Sequence, residues 1–487
     1  MSITIQNPAA LVSSTALRKT QNLVNESMTR LATGKQINSA KDNVVGLNAQ
    51  TTLMAEIRGL TQATKNAGIG VAINDTADAA LAETTSILQR MRELAVQGAS
   101  TAISATTRST LGTEVTALYG VISNLAADTK YNSQALLDGT FASQIVQIGP
   151  NATNGTVTYS LSSIAPASLG AFVSEGYTRV PVTAASSEPL NNTTTSEDIT
   201  VGSTTIDAVA NETAKDVAAK INAVSGTTNV FATAETYAHL LSTNVSAENY
   251  IVEINGTETA SFAISSTNVS GAVSAINAIS STTGVTAAAT DDFKVLLHDP
   301  DGDDITIQNK SASLANLDVY AVKRDGVTTQ GSAATDLAVV SGNSATRVVG
   351  TLRLTSDESF TVTQSGTAAQ GYLVTGTAAR SAISSVDLSS AVTSAHAIEI
   401  LDSAMNQVAS IRATAAANSR VFEHSVSGNL ALEAAKQSGL GALEDADYAV
   451  ETARLAKAMM LRKVSSTLLA QANTNEELVL MLLGKTA

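Results

Sequence analysis

Four histidines, one run of aspartates and a pair of close glycines are the residues in this 487-residue chain whose types and spacing could do chemistry. His239, His298, His396 and His424 are scattered, and none stands in an H-E-x-x-H pattern, which would set two imidazoles on one helix face around zinc. There is no Ser-centred nucleophile elbow. Asp299-Pro-Asp-Gly-Asp-Asp304 has the carboxylate density of a calcium loop. Its Gly302 comes two positions too early for an EF-hand, however, and position twelve is Lys310, where a bidentate Glu is needed. A solvated hairpin turn is the favoured reading and a weak cation site the alternative. Gly68 and Gly70 are followed by no Gly-Lys-Ser/Thr and make no phosphate loop. With no Cys in the chain, disulfides, thiolate metal sites and Cys nucleophiles are excluded. No catalytic residue, metal ligand or cofactor is assigned, and an enzyme reading has no residues behind it.

The elements that would position any site fall into two kinds. All six prolines lie at 8, 150, 166, 181, 189 and 300, so residues 9–149 and 301–487 contain none, and aromatic residues are sparse toward both ends. Near the N-terminus Leu17, Gln21, Val24, Met28 and Leu31 recur at spacings of four and three, one seam of a helix. Near the C-terminus Val450, Arg454, Lys457, Leu461, Val464, Leu468 and Gln471 keep the same rhythm. Polar residues interrupt both seams. Each buried Leu or Val contributes only about 1.5–3 kcal/mol, so a lone pair of such helices is marginal. The periodicity alone allows either pairing within the chain or packing against other copies, and the interruptions favour the second. Further amphipathic helices are expected over Asp75 to Ala99 and Glu114 to Leu125.

After Asp138-Gly139 the period changes to that of strands, with a hairpin expected around Ile145, Ile148, Val157 and Tyr159. The middle contains a repeat at a spacing of 55 residues: Ile221-Asn222-Ala223-Val224-Ser225 aligns with Ile276-Asn277-Ala278-Ile279-Ser280. Each copy reads as strands, a short helix from Ala214 or Val269, then a strand. The fold class expected is α+β, long terminal helices in a coiled-coil stalk carrying an inserted β-rich region. The domain division expected is 1–43 with 448–487, then 44–165 with 391–447, then 166–390.

Charge follows the same division, because residues 141–390 hold 23 acids against 10 Lys and Arg while the whole chain carries −14. Near-neutral ends can pack against copies of themselves, and an acidic middle stays hydrated. Nucleic acid is not an expected partner, since phosphate binding needs a basic stripe. No apolar run approaches the 18 residues of a spanning helix, and the N-terminus has no basic n-region with an apolar run, so neither membrane insertion nor an ordinary signal peptide is expected.

Motifs at both ends go further. Arg30-Leu-Ala-Thr-Gly-Lys-Gln-Ile-Asn-Ser-Ala-Lys-Asp42, Ile87-Leu-Gln-Arg-Met-Arg-Glu-Leu-Ala-Val-Gln97, Thr129-Lys-Tyr-Asn132 and Leu136-Leu-Asp-Gly139 resemble the N-terminal signature of bacterial flagellin. Glu444-Asp-Ala-Asp-Tyr-Ala449 and Leu468-Leu-Ala-Gln-Ala-Asn473 resemble its C-terminal signature. The repeated Ile-Asn units are similar to a module of some flagellin outer domains.

The resemblance implies a subunit that self-assembles into the flagellar filament, an extracellular helical propeller for swimming. Leu17, Val24, Met28, Leu31, Leu461, Val464 and Leu468 would form its assembly seam. It implies as partners other copies of the chain, an export chaperone, the type III export apparatus, and the filament cap and hook-junction proteins. Gln89, Arg90, Leu94 and Glu114 match positions that in the family form an epitope for a host innate immune receptor; exposed helix charge with subunit contact is their bland reading. A hook–filament junction protein of the same flagellum is the alternative. Gly439 and Gly441 depart from the family pattern and suggest a loosened turn. Asn192-Thr-Thr194 fits a glycosylation sequence, which chance also produces in so Thr-rich a chain.

Overall fold

Asparagine, proline and glycine set the limits of the first helix. In the computed structural model, which describes residues 7–151, 155–176, 187–189, 197–209, 211–242, 244–290, 292–311, 316–329, 335–337, 344–365 and 372–484, α1 runs Pro8–Thr33. The Asn7 side chain accepts the Ala10 N–H at 2.9 Å, and Pro8 gives up only an N–H that the first turn leaves unpaired anyway. Gly34, at φ +71°, closes the helix in the left-handed conformation that a Cβ would penalise. The other helices are α2 (Val44–Ala99), α3 (Ala105–Asp128), α4 (Ala214–Ala223), α5 (Ser225–Thr228), α6 (Ser270–Asn277), α7 (Ser280–Thr283), α8 (Ala391–Glu444) and α9 (Tyr448–Gly484). Helix α8 continues through Gly439 and Gly441, so the loosened turn suggested by the sequence is not seen. The ladder of i to i−4 bonds carries two glycines because each costs only about 0.5–1 kcal/mol relative to Ala.

The chain forms two compact units. The first comprises residues 1–74, 143–159 and 417–487. Here α1 packs against α9. The hairpin of β1 (Gln144–Gln147) and β2 (Thr156–Tyr159) pairs Gln144 with Tyr159, as the sequence predicts. Polar contacts hold that hairpin to two helices. Asn66 of α2 donates to the Gln147 carbonyl at 3.0 Å and Asn429 of α8 to the Ile148 carbonyl at 2.8 Å. Tyr159 is buried, donates to Asn74 Oδ1 at 2.7 Å and meets Phe422 edge-on at 5.9 Å between ring centroids. Burial pushes its phenol well above the ordinary tyrosine value. The same two helices share the Lys436–Glu56 ion pair.

The second unit comprises residues 75–142 and 160–416. Its helical part buries Leu81, Leu88, Met91 and Leu94 of α2, Leu111, Val115 and Ile122 of α3, and Leu401, Ala404 and Val408 of α8. Arg92 with Asp402 (2.5 Å) and Arg412 with Asp78 (2.8 Å) tie α2 to α8 across this pack. Its β part is built on an eight-stranded sheet. Seven of its strands are β3 (Gly170–Glu175), β4 (Phe231–Leu241), β5 (Thr286–Ala289), β6 (Val295–Asp299), β7 (Leu317–Ala321), β8 (Thr351–Ser356) and β9 (Ala379–Ala382). The main order is β5-β6-β4-β8-β3-β9, all antiparallel, with β7 also pairing β4.

The repeat read from the sequence is a repeat in space. One apolar core surrounds α4, with Ala214, Val217, Ala218 and Ile221 against Ile199, Val201, Leu352, Leu354 and Val362. A second surrounds α6, with Ala272 and Ile276 against Tyr250, Val252, Ile254, Ile305 and Ile307. Strand β4 serves both, giving Ala232 and Ala234 to the first core and Ala238 and Leu240 to the second. Ile221 and Ile276 are fully buried, each contributing about 1.5–3 kcal/mol. Their neighbours Asn222 and Asn277 do the same job ten residues ahead. The Asn222 amide donates to the Ala232 carbonyl and accepts the Ala232 N–H, both at 2.8 Å. Asn277 does so with Ala287 at 2.8 and 2.7 Å. An Asn255-Gly256 hairpin turn is present, with φ +46° and +78° between paired Ile254 and Thr257.

Candidate functional site

The buried face between α1 and α9 is small and polar. On α1 it holds Thr20, Val24 and Ser27, with Leu17 and Leu31 half-buried beside them; on α9 it holds Glu451, Ala458 and Ser465. Small residues let two helices approach closely but bury little apolar area, so this contact contributes modestly. Most of the larger apolar residues face away. Leu11, Val12, Leu23 and Met28 on α1, and Met460, Leu461, Val464 and Leu468 on α9, are exposed in the single chain. Val464 is 53% exposed while its neighbour Ser465 is 8% exposed.

This arrangement sets the apolar row read from the sequence apart from the face that turns toward α1. Leu461, Val464 and Leu468 do not contact α1 as a buried intramolecular stripe; that stripe runs one residue further along, through Glu451, Ala458 and Ser465. One residue is about 100° of rotation on a helix of 3.6 residues per turn, so the apolar row lies beside the buried row. On α1, Val24 is buried and Met28 is 56% exposed. Periodicity located the rows but could not say which would face inward, because a helix with Ala and Ser on one face and Leu and Val on the next can pack by either.

An elbow joins the two helices. Residues after α1 and before α9 meet in a short bridge, where Gln36 N–H donates to the Glu444 carbonyl at 2.6 Å and Ala446 N–H to the Gly34 carbonyl at 2.9 Å. Lys35 pairs with Glu444, and Tyr448 Oη donates to the Leu31 carbonyl at 3.3 Å. Asp42 braces the N-terminal half by accepting from Asn38 N–H (3.0 Å) and Ser39 N–H (2.8 Å). Those backbone bonds hold its carboxyl below the usual value. Glu451 is nearly buried, 3.3 Å from Arg454 and 3.9 Å from Arg30. The two end motifs of the sequence are therefore partners. Their meeting could be inferred only from both being unusual, since nothing in either specifies the other.

The remaining residues singled out in the sequence have clear places. Arg90 donates to Glu114 at 2.9 and 3.0 Å and to Glu93 at 3.0 Å, and bonding to Glu114 first and Glu93 second raises its pKa. Gln89 is exposed beside it, but Leu94 is 1% exposed and belongs to the helical core. The Asp299–Asp304 loop is a turn whose cation is protein-borne. The Lys215 ammonium lies 2.8 Å from Asp303 and 3.2 Å from Asp301, while Asp299 Oδ1 accepts the Asp301 and Gly302 N–H groups. Gly302, at φ +78°, approaches Ala234 so closely that a Cβ would lie 2.3 Å from the Ala234 methyl. Asn192-Thr-Thr194 lies outside the described residues.

Two of the histidines scattered in sequence, His396 and His298, are both influenced by a buried guanidinium that no motif marks. Arg324 Nε donates to His396 Nε2 at 3.2 Å and its other nitrogens reach Thr233 and, at 3.2 Å, Glu235. Arg353 lies 2.8 Å from Glu175 and 2.9 Å from Glu399. His298 stacks on Tyr237 at 4.3 Å. Burial first, and the nearby arginines second, depress His298 to about 4 and His396 to about 3. Neutral imidazoles locked between arginines and strands make a joint between β4, β8 and α8. Among the described residues no group of three or more His, Asp or Glu is placed to hold a metal ion, and no helix is long and apolar enough to cross a membrane.

Comparison with known proteins agrees with a chain whose ends are made for packing. Residues 5–142 match the bacterial flagellin N-terminal helical region, residues 398–483 its C-terminal helical region, and residues 190–241 the flagellin hook IN motif. The B-type flagellin of Pseudomonas aeruginosa is 30% identical over 491 aligned residues, covering 99% of this chain and 100% of that protein. The chain belongs to the bacterial flagellin family. Flagellin D of Vibrio cholerae is 26% identical across 98% of both chains, and polar flagellin F of Vibrio parahaemolyticus is 41% identical over 150 residues, 31% of this chain and 40% of that one. Solved structures of FliC from Burkholderia pseudomallei and FlgL from Xanthomonas campestris give TM-scores of 0.30 and 0.33 at 18% and 12% identity, covering 72% and 80% of this chain and 98% and 99% of theirs. Those scores are too low to rank either. The sequence relatives favour flagellin over the junction protein. This flagellin is a structural subunit of the extracellular flagellar filament. The matched IN motif covers the first repeat; the second carries the same asparagine clamp.

Proposed function

We propose that this flagellin polymerises through the exposed apolar rows of α1 and α9, with Met28, Leu461, Val464 and Leu468 on contacts between copies and Leu17, Val24 and Leu31 on the pairing within each copy. The observation that carries the reading is the composition of the two faces: Thr20, Ser27, Ala458 and Ser465 are buried beside Val24, whereas Leu11, Leu23, Met28, Met460, Leu461, Val464 and Leu468 are exposed. An apolar row on a soluble chain is a surface awaiting a partner. Repeated head-to-tail contacts that do not close give a helical tube. The protein acts as a structural polymer without catalysis. Before assembly the exposed C-terminal row needs cover, which suits an export chaperone, and family membership supports delivery through the type III export apparatus to the filament cap. Contact with hook-junction proteins would use the same end surfaces. Gln89 and Arg90 are the exposed members of the set matching the host receptor epitope, and the Arg90–Glu114 pair also has a structural role in joining α2 to α3.

Electron microscopy of purified protein after seed- or salt-induced polymerisation tests the reading. Long helical filaments are expected. Growth that stops after short rings would favour the junction-protein alternative, and no assembly with both helices ordered in the monomer would remove the proposal.

A further inference from the structure

The eight-stranded sheet has an end at β5, which pairs with β6 on one side only among the described residues. An open edge offers unpaired N–H and C=O groups to any passing strand, and proteins usually guard it with charge, proline or a bulge. The opposite end of the main order carries such a guard, Arg380 on β9, and the short strand Thr335–Leu337 beside β7 carries Asp336. Strand β5 reads Thr-Ala-Ala-Ala, with no charge and no proline. What stands at its edge is the Asn277 side chain, which takes both main-chain groups of Ala287. A primary amide has the donor–acceptor pair of a peptide unit, so this contact copies one rung of a β-ladder with nothing beyond it to extend.

We propose that Asn277 is an edge plug, and that it prevents β5 from taking up a strand from a second copy of this chain. The partner is a second copy because every copy carries the same uncharged edge. The first repeat shows how the same amide behaves where no strand could enter. Both main-chain groups of Ala232 are held by Asn222, so they point away from β8, toward the side on which β6 pairs with the later residues of β4. The next position there, Ala234, is covered by the backbone of Gly302. Asn222 is thus a structural clamp, and Asn277 is a clamp that also closes an edge.

The test uses unseeded full-length protein in solution, so its outcome is independent of filament formation. For Asn277→Ala, sedimentation velocity should show self-association about tenfold stronger than wild type, the scale of one or two freed hydrogen-bonding groups finding partners. Hydrogen exchange should show the Ala287 amide exposed at low concentration and protected again at high concentration. Asn222→Ala should lose protection at Ala232 and remain monomeric. Asn277→Asp, which places a charge on the edge, should also remain monomeric and serves if the alanine variant folds poorly. The proposal is overturned if Asn277→Ala stays monomeric with Ala287 exposed, or if Asn222→Ala associates equally, which would assign the effect to general loosening of the repeat.

Discussion

The α1–α9 pair and the β sheets of the second unit solve the burial problem in opposite ways. In the sheets the large apolar residues of the two repeat cores are inside: Ile221, Ile276, Val252, Leu297, Leu352 and Leu354 are all fully buried. In the helix pair the inside is Thr20, Val24, Ser27, Glu451, Ala458 and Ser465, with one large apolar residue among six, and Leu11, Leu23, Met28, Leu461 and Leu468 are outside. The sheets are finished within one chain. The helix pair leaves an apolar row exposed in the single chain, which under the proposed function is finished by other copies. Marginal order of a free segment and tight order in an assembly are two sides of the same burial deficit.

The sharpest way to break this contrast is at two adjacent residues. Val464→Asp should leave the monomer folded, because the site is exposed there, yet place an unpaired carboxylate in the assembled contact at a cost of about 3–5 kcal/mol per subunit. Seeded sedimentation should then show little or no pelletable filament. Ser465→Asp, one residue on, buries its charge against α1 within the monomer, and should lower helix content before any seed is added. If the two variants behave alike, the inward and outward faces are wrongly assigned.

Acid should separate the regions next. His298 and His396 have folded values below the ordinary 6.5, so the unfolded state binds more protons. Their site is therefore fully stable above about pH 6.5 and weakens as pH falls toward 4 and then 3. Asp42 in the elbow, lowered from 3.8, keeps its contribution above that value and loses it only as pH falls through its depressed one. Hydrogen exchange across a pH series should show strands β4 and β8 opening before residues 34–46. The reverse order would contradict the assignment of neutral, buried imidazoles. The smallest effect is at Gly439, where a Cβ meets no atom within 4 Å. Gly439→Ala should stabilise α8 by about 0.5–1 kcal/mol, read as a small rise in melting temperature.

Much of this was legible in the sequence because the strongest local signals agreed with the fold. The change of period after Gly139, the two Ile-Asn repeats and the start of the last helical region all appear where pattern and turn chemistry place them. Three features were not legible. The face of α9 that turns inward could not be read, because Ala458 and Ser465 carry no hydrophobic signal although their small size is what permits contact. The pairing of Arg324 with His396 joins residues 72 positions apart, which composition cannot report. Leu94 matched an epitope motif whose letters do not record depth, and it lies in the core.

The pairing of β3 with β9 has a further consequence. Ala379 lies opposite Val173 and Ala382 opposite Gly170, so the chain that departs after Glu175 returns one strand spacing away, about 4.8 Å. Everything between is, in polymer terms, a loop whose ends are already clamped. Its closure entropy grows only with the logarithm of its length, about 0.6 kcal/mol for each doubling. Chains differing by hundreds of residues between these two strands could therefore share one set of helices, and length variation in this family would be thermodynamically cheap at this doorway and costly almost anywhere along α1, α2, α8 or α9.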